Sequence, residues 1–106
     1  MAEMYDSFTA LAADQQAGID YEIIAQYLDP RLVYAGIHAG SIETGTDEIV
    51  LALGGEDEVG PKRSTYRFRG IKPSGNNALH VESTNFRDEP QLEWMLRRTL
   101  QVVTIH

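Results

Sequence analysis

Apolar and polar positions along this chain switch between two periods, and the switches predict the elements. Phe8, Leu11 and Ala12 recur at i, i+3 and i+4 within Ser7–Gln16, the spacing of a helix face. Asp6 or Ser7 can cap that helix, and Gly18 closes it. From Tyr21 to Leu28 the apolar residues Tyr21, Ile23, Ala25 and Tyr27 alternate. Ile24 and Leu28 would also suit a helix, but the abrupt Asp29-Pro30 stop favours a strand. Leu32–Ile37 is an uninterrupted apolar run, the mark of a strand buried on both faces. A turn rich in glycine covers His38–Gly45. Thr44-Gly-Thr-Asp47 then resembles a capping-box helix start, followed by Glu48–Leu53 and a Gly54-Gly55 stop.

The second half continues the alternation. Ser64–Ile71 reads as a strand with Tyr66 and Phe68 on one face and Arg67 and Arg69 on the other. Lys72–Asn77 is dense in turn residues, and Leu79–Thr84 reads as another strand. Asp88-Glu89-Pro90 opens a helix that ends with Arg97 and Arg98, charges suited to its two dipole ends. Gln101–Ile105 is the last strand. Its Val-Val-Thr-Ile core is apolar on both faces, which predicts an interior position and a chain that stops within a longer domain. The order α-β-β-α-β-β-α-β predicts an α/β fold in which helices flank a mixed, largely parallel sheet. One domain over residues 1–106 is expected, with Tyr66, Phe68 and Trp94 in its core.

Composition narrows the class. The chain has 106 residues, 42% hydrophobic and 24% charged, enough to bury a core and too few charges for disorder. No apolar stretch approaches the ~20 residues of a membrane span. The acidic start Met-Ala-Glu-Met-Tyr-Asp lacks a secretory signature, so cytoplasmic synthesis is expected. No cysteine is present, which removes thiolate nucleophiles and cysteine-ligated metals together. A net charge of −7 argues against nucleic acid as a partner, because phosphate affinity needs clustered Lys and Arg. Yet Pro61–Val81 holds Lys62, Arg63, Arg67, Arg69 and Lys72 with no acid. Such a local positive face suits an anionic substrate; it equally suits an ordinary solvated surface.

The candidate chemistry lies in three residues. His38 follows the Leu32–Ile37 run, Glu43 lies five positions on, and His106 follows Val102–Ile105. In open α/β sheets ligands bind beyond the carboxyl ends of strands. Two imidazoles and a carboxylate there form the ligand set of a catalytic zinc site. A histidine after a strand is also, more often, a hydrogen-bonded structural residue. His80 alternates away from Leu79 and Val81, and either lines the same cleft or faces solvent. Neither a phosphate-binding glycine loop nor a serine nucleophile elbow occurs.

Three segments, His38-Ala-Gly-Ser-Ile-Glu-Thr-Gly-Thr-Asp-Glu48, Pro73-Ser-Gly-Asn-Asn-Ala-Leu-His-Val81 and Ser83-Thr-Asn-Phe-Arg-Asp-Glu-Pro90, resemble the phage and prophage poly-γ-glutamate hydrolases. The resemblance runs from about Asp20 to His106. It implies a zinc carboxypeptidase-like fold and hydrolysis of γ-glutamyl amide bonds in poly-γ-glutamate. It implies Zn2+ held by His38, Glu43 and His106, and release of the enzyme by phage lysis. Family members are about twice this length, so the resemblance also implies a truncated chain whose general base would lie beyond residue 106. Arg67, Arg69, Lys72, Asn76 and His80 are the expected substrate contacts. The rival readings are a non-catalytic phage binding or regulatory module and a zinc amidohydrolase with another amide substrate.

Overall fold

The computed structural model describes residues 4–28, 30–55, 63–82 and 85–105. Among these, three helices and four strands form a mixed α/β fold in the order α1 (Phe8–Asp14), β1 (Tyr21–Gln26), β2 (Leu32–Gly40), α2 (Thr46–Gly54), β3 (Ser64–Gly70), α3 (Pro90–Arg98) and β4 (Gln101–Thr104). A 3-10 turn, Asn76–Leu79, stands between β3 and α3. The sheet order is β1-β3-β2-β4. β1 runs antiparallel to β3, whereas β2 is parallel to both β3 and β4. The sheet is therefore mixed and mostly parallel, as the alternation of strands and helices requires.

One face of the sheet carries the main core. Val33, Ala35 and Ile37 from β2 and Tyr66 and Phe68 from β3 meet Phe8 and Leu11 of α1, Phe86, and Leu92 and Met95 of α3. Phe68 and Phe86 lie 4.9 Å apart, and Phe8 and Phe86 5.6 Å apart, both tilted edge to face, the arrangement that ring quadrupoles favour. Asp88 ties the two ends of the layer together. Its carboxylate accepts from the backbone N–H of Phe8 (3.0 Å) and Thr9 (2.8 Å), which are otherwise orphan donors at the start of α1. Ser7 supplies the local cap through Ala10 N–H at 3.1 Å.

The opposite face receives α2, and small residues set how closely it sits. A Cβ on Gly36 would lie 2.9 Å from Val50 Cγ2, and one on Gly54 2.5 Å from Thr65 Cγ2. Helix and strands approach to a distance that any side chain there would prevent. Asp47, in the first turn of α2, accepts from Arg67 Nη1 at 2.9 Å and from Arg69 Nε at 3.0 Å. Arg69 also pairs with Glu22 on β1. Asp47 and Arg67 are largely buried, so Asp47→Ala strands a guanidinium beneath the helix. We expect it to cost about 2 kcal/mol, read as a lower urea midpoint with unchanged slope.

Four sequence expectations are corrected. Leu79–Thr84 is no strand over its described residues: Gly75 takes a positive φ of 77° and the chain winds through Asn76–Leu79. Leu79 and Val81 are buried and His80 less so, which imitates strand alternation in a segment with no partner strand. Among the described residues β4 lies at the sheet's edge, not its interior. Trp94 is 44% exposed and packs outside the core against Tyr27, with Arg98 over its ring. Finally, α2 has no side-chain cap: Gly45, at φ 95°, precedes it.

Candidate metal centre

β2 runs three residues beyond the apolar stretch, because Ala39 and Gly40 still pair with Arg69 and Gly70 of β3. His38 is thus within the strand and not in the turn that follows. The register shifts between Gly36 and Ala39. A bulge of this kind re-aims the side chains it carries, and His38 sits inside it. The turn then reverses: Gly40 adopts φ 65°, Ser41 N–H donates to Gly70 O, and Glu43 N–H donates to His38 O at 2.9 Å. That last bond folds the five-residue step back on itself and brings the Glu43 side chain to the imidazole.

His38 is 3% exposed. Its Nε2 lies 2.6 Å from the carbonyl oxygen of Val81, and a carbonyl only accepts, so Nε2 carries the proton. Nδ1 is left facing Glu43 Oε1 at 2.9 Å, a buried carboxylate oxygen that receives no hydrogen bond. In the neutral ring this places a lone pair against a carboxylate oxygen, a pairing that becomes favourable once a metal ion or a proton lies between them. Two ligand atoms bound ~2.1 Å from a tetrahedral zinc stand roughly 3.4 Å apart, so small side-chain shifts open the space needed. The Val81 carbonyl fixes the tautomer and ring orientation of His38, the part that such a group plays behind a metal-bound histidine.

His80 completes the cluster. Its ring stacks on that of His38 with centroids 3.7 Å apart and planes inclined by 16°. His38, Glu43 and His80 each offer a ligand atom, all within 4.8 Å of one another, a group that can hold a metal ion. Sequence reading placed His80 beside the site without assigning it to the metal. The contact that brings it in spans 42 positions and left no local signal. His106 lies outside the described residues. Its strand does run toward this site: β4 is parallel to β2, and Ile105 N–H donates to Ala35 O at 2.8 Å.

The basic segment is placed less freely than its charge suggests. Arg67 and Arg69 are held by Asp47 and Glu22. Both ends of the Asn76 amide are taken by the backbone of Lys72, at 3.0 and 2.9 Å. Asn76 thereby clamps the loop that presents His80. Lys72 Nζ reaches Gln15 Oε1 at 3.4 Å, and Lys62 lies outside the described residues.

Burial pushes the His38 pKa below the ordinary 6.5, and the His80 ring adds to this; the Val81 bond and Glu43 oppose it. The unfolded chain then binds a proton that the native ring resists. This contribution to stability is complete above pH 6.5 and is lost as pH falls from there toward the depressed native value. We expect the urea midpoint of the metal-free chain to fall as the pH drops below 6.5, with a shallower fall in His38→Gln.

Comparison with known proteins places the fold in a family. The profile of the family described as "Poly-gamma-glutamate hydrolase" matches residues 5–106. The structure described as a bacteriophage poly-gamma-glutamate hydrolase is 35% identical. It superposes with a TM-score of 0.84 over 97% of this chain and 47% of its own. A structure of YNDL in an apo, zinc-free form is 30% identical, with a TM-score of 0.82 over 97% of this chain and 47% of its own. The SPbeta prophage-derived protein YoqZ of Bacillus subtilis (strain 168) is 32% identical over 99% of this chain and 35% of its own length. The chain thus spans less than half the length of these relatives.

Proposed function

This chain belongs to the poly-gamma-glutamate hydrolase family, and from that premise we propose that it is part of a zinc-dependent hydrolase of γ-glutamyl amide bonds in poly-γ-glutamate. The observation that carries the reading is the buried 2.9 Å approach of His38 Nδ1 to Glu43 Oε1 inside a turn that the family profile covers. Zinc is the ion named as missing from the apo form of a relative, and imidazole with carboxylate is a donor set that suits it. His38 and Glu43 would hold the ion, and His106, two residues beyond the end of β4, would supply the third ligand. When bound, zinc polarises the scissile carbonyl and lowers the pKa of its water toward ~7.

The remaining roles fall to the chain's own groups. Val81 O keeps the His38 proton on Nε2. His80, partly exposed beside the ring, lines the approach to the site. Lys72 supplies positive charge for the free carboxylates of the polymer, while Arg67, Arg69 and Asn76 hold their strand and loop. The general base comes from the part of the domain that this chain does not span.

The test is chain shortening of poly-γ-glutamate by the 106-residue chain and by a form extended with the remainder of a relative, each with zinc and with chelator. The extended form should shorten the polymer, lose activity with chelator and regain it with zinc. The short chain should be at least ~100-fold slower, since general acid–base catalysis contributes about 10²–10⁴. Chelator-insensitive cleavage, or none by a folded extended form, contradicts the reading.

A further inference from the structure

Away from the metal centre, a cavity of about 350 Å³ opens between β1 and α3, lined by Ala25, Tyr27, Pro90, Gln91, Trp94 and Met95. β3 stands between β1 and β2 in the sheet. Gln26 pairs with Thr65 at the start of β3, whereas His38 lies in the bulge between the Gly36–Arg67 and Ala39–Arg69 pairs. Groove and metal centre are therefore separated both across the sheet and along it, by on the order of 15 Å. Trp94 is exposed, as are Ala25 and Leu28 near Tyr27, although an indole is among the costliest side chains to leave in water. The ring is held in place. Tyr27 meets it edge to face at 5.0 Å and donates its hydroxyl to Arg98 O at 2.9 Å, and the Arg98 guanidinium lies 4.3 Å from the indole centroid. Arg97 adjoins, paired with Glu93 at 2.6 Å on the exposed side of the helix. Such a surface pair contributes little and exchanges readily with another carboxylate. Arg98 meets a π-face and the Trp94 carbonyl, and neither neutralises its charge. An apolar groove with a fixed aromatic wall and two guanidinium groups at its rim thus stands in a chain of net charge −7.

We propose that this groove is a second binding surface for poly-γ-glutamate, one that holds the polymer apart from the metal centre. The choice of ligand rests on the function proposed above; the groove and its charges do not. Each repeat of that polymer places backbone methylenes beside a free carboxylate. The methylenes lie against Trp94, Tyr27 and Pro90. The carboxylates are taken by Arg98, and by Arg97 as it leaves Glu93, forked donors that suit a carboxylate. Gln91 offers its amide to the amide links of the chain. A tether of this kind raises the polymer's concentration at the metal centre without taking part in cleavage.

Trp94 is the single tryptophan of the chain, so its emission reads the groove directly. The 106-residue chain is titrated with poly-γ-glutamate in the presence of chelator, and protection of Trp94 from acrylamide quenching is followed. The extended form, with phenylalanine for any tryptophan outside this chain, is treated in the same way. Saturable protection is expected in both. It should weaken about fivefold when Arg97→Gln and Arg98→Gln are combined, and again when salt is raised to ~0.5 M. Glu93→Gln, which removes the competing carboxylate, should tighten binding about twofold, and it keeps the test valid if the arginine changes unsettle α3. The same polymer with its carboxylates methylated should give no protection, and poly-α-aspartate about fivefold weaker protection. No protection by poly-γ-glutamate, or equal protection by either control, overturns the proposal. So does a Trp94 that is already shielded in the extended form and blind to the polymer. Because chelator silences the metal centre, a blind Trp94 leaves the hydrolase reading standing. Protection without chain shortening by the extended form sinks that reading and not the groove.

Discussion

Glu89→Ala should be among the most destabilising single changes in this fold, costing about 3–4 kcal/mol. Glu89 is 2% exposed, yet all its work is hydrogen bonding. Oε1 accepts from the Tyr66 hydroxyl at 2.7 Å and from Leu92 N–H at 2.9 Å, and Oε2 accepts from Gln91 N–H at 2.9 Å. It is the N-cap of α3 and the partner of a core tyrosine at once. Loss of a cap costs about 1–2 kcal/mol, and a buried hydroxyl left without its acceptor about 1–3 kcal/mol more. Burial, then the Glu89 carboxylate, hold the Tyr66 pKa well above its usual 10, so the hydroxyl stays a donor throughout the accessible range. Glu89→Gln keeps an acceptor and should lose about 1 kcal/mol, mainly the charge at the helix start. Combining Glu89→Ala with Tyr66→Phe should recover part of the loss. Additive losses in urea unfolding would mean the two side chains are independent.

The second large effect concerns the metal. If the proposed centre holds zinc, His38→Ala and Glu43→Ala should each weaken its binding at least ~100-fold, since on that reading each removes one of three protein ligands. Asn76→Ala should weaken it less, about tenfold, by loosening the Lys72–Asn76 loop and the His80 and Val81 segment behind it. Calorimetric titration against a competing chelator distinguishes the three. Equal affinity in His38→Ala and the parent chain would place the ion elsewhere.

Much of this architecture was legible in the sequence because it depends on local pattern. The Phe8–Leu11 face, the alternation of Tyr66 and Phe68 against Arg67 and Arg69, and the Glu89-Pro90 start all reappear in the structure. The expectations that differ depend on neighbours that a sequence does not display. β2 extends through His38 because β3 offers partners to Ala39 and Gly40. Leu79 and Val81 alternate like a strand, yet the Asn76 amide already satisfies the Lys72 backbone and turns the chain away from any sheet. β4 reads as interior from its side chains, whereas its position follows from which strands flank it. At the site, residue type marked His38 and Glu43 as candidates, but a spacing of five left their approach to the turn that the Glu43 N–H to His38 O bond closes. The ring stacking of His80 and the Val81 carbonyl were not legible, because they join segments far apart in the chain.

The central claim is that His38 offers Nδ1, not Nε2, to a metal shared with Glu43. Nitrogen–proton NMR correlation of the imidazole rings, recorded while zinc is added, tests it most directly. The account predicts that His38 Nδ1 moves to a metal-bound shift while Nε2 remains protonated and bonded to Val81 O, and that Glu43→Ala diminishes the change. A His38 ring that is unaffected by zinc, or that binds it through Nε2 and breaks from Val81, would contradict it.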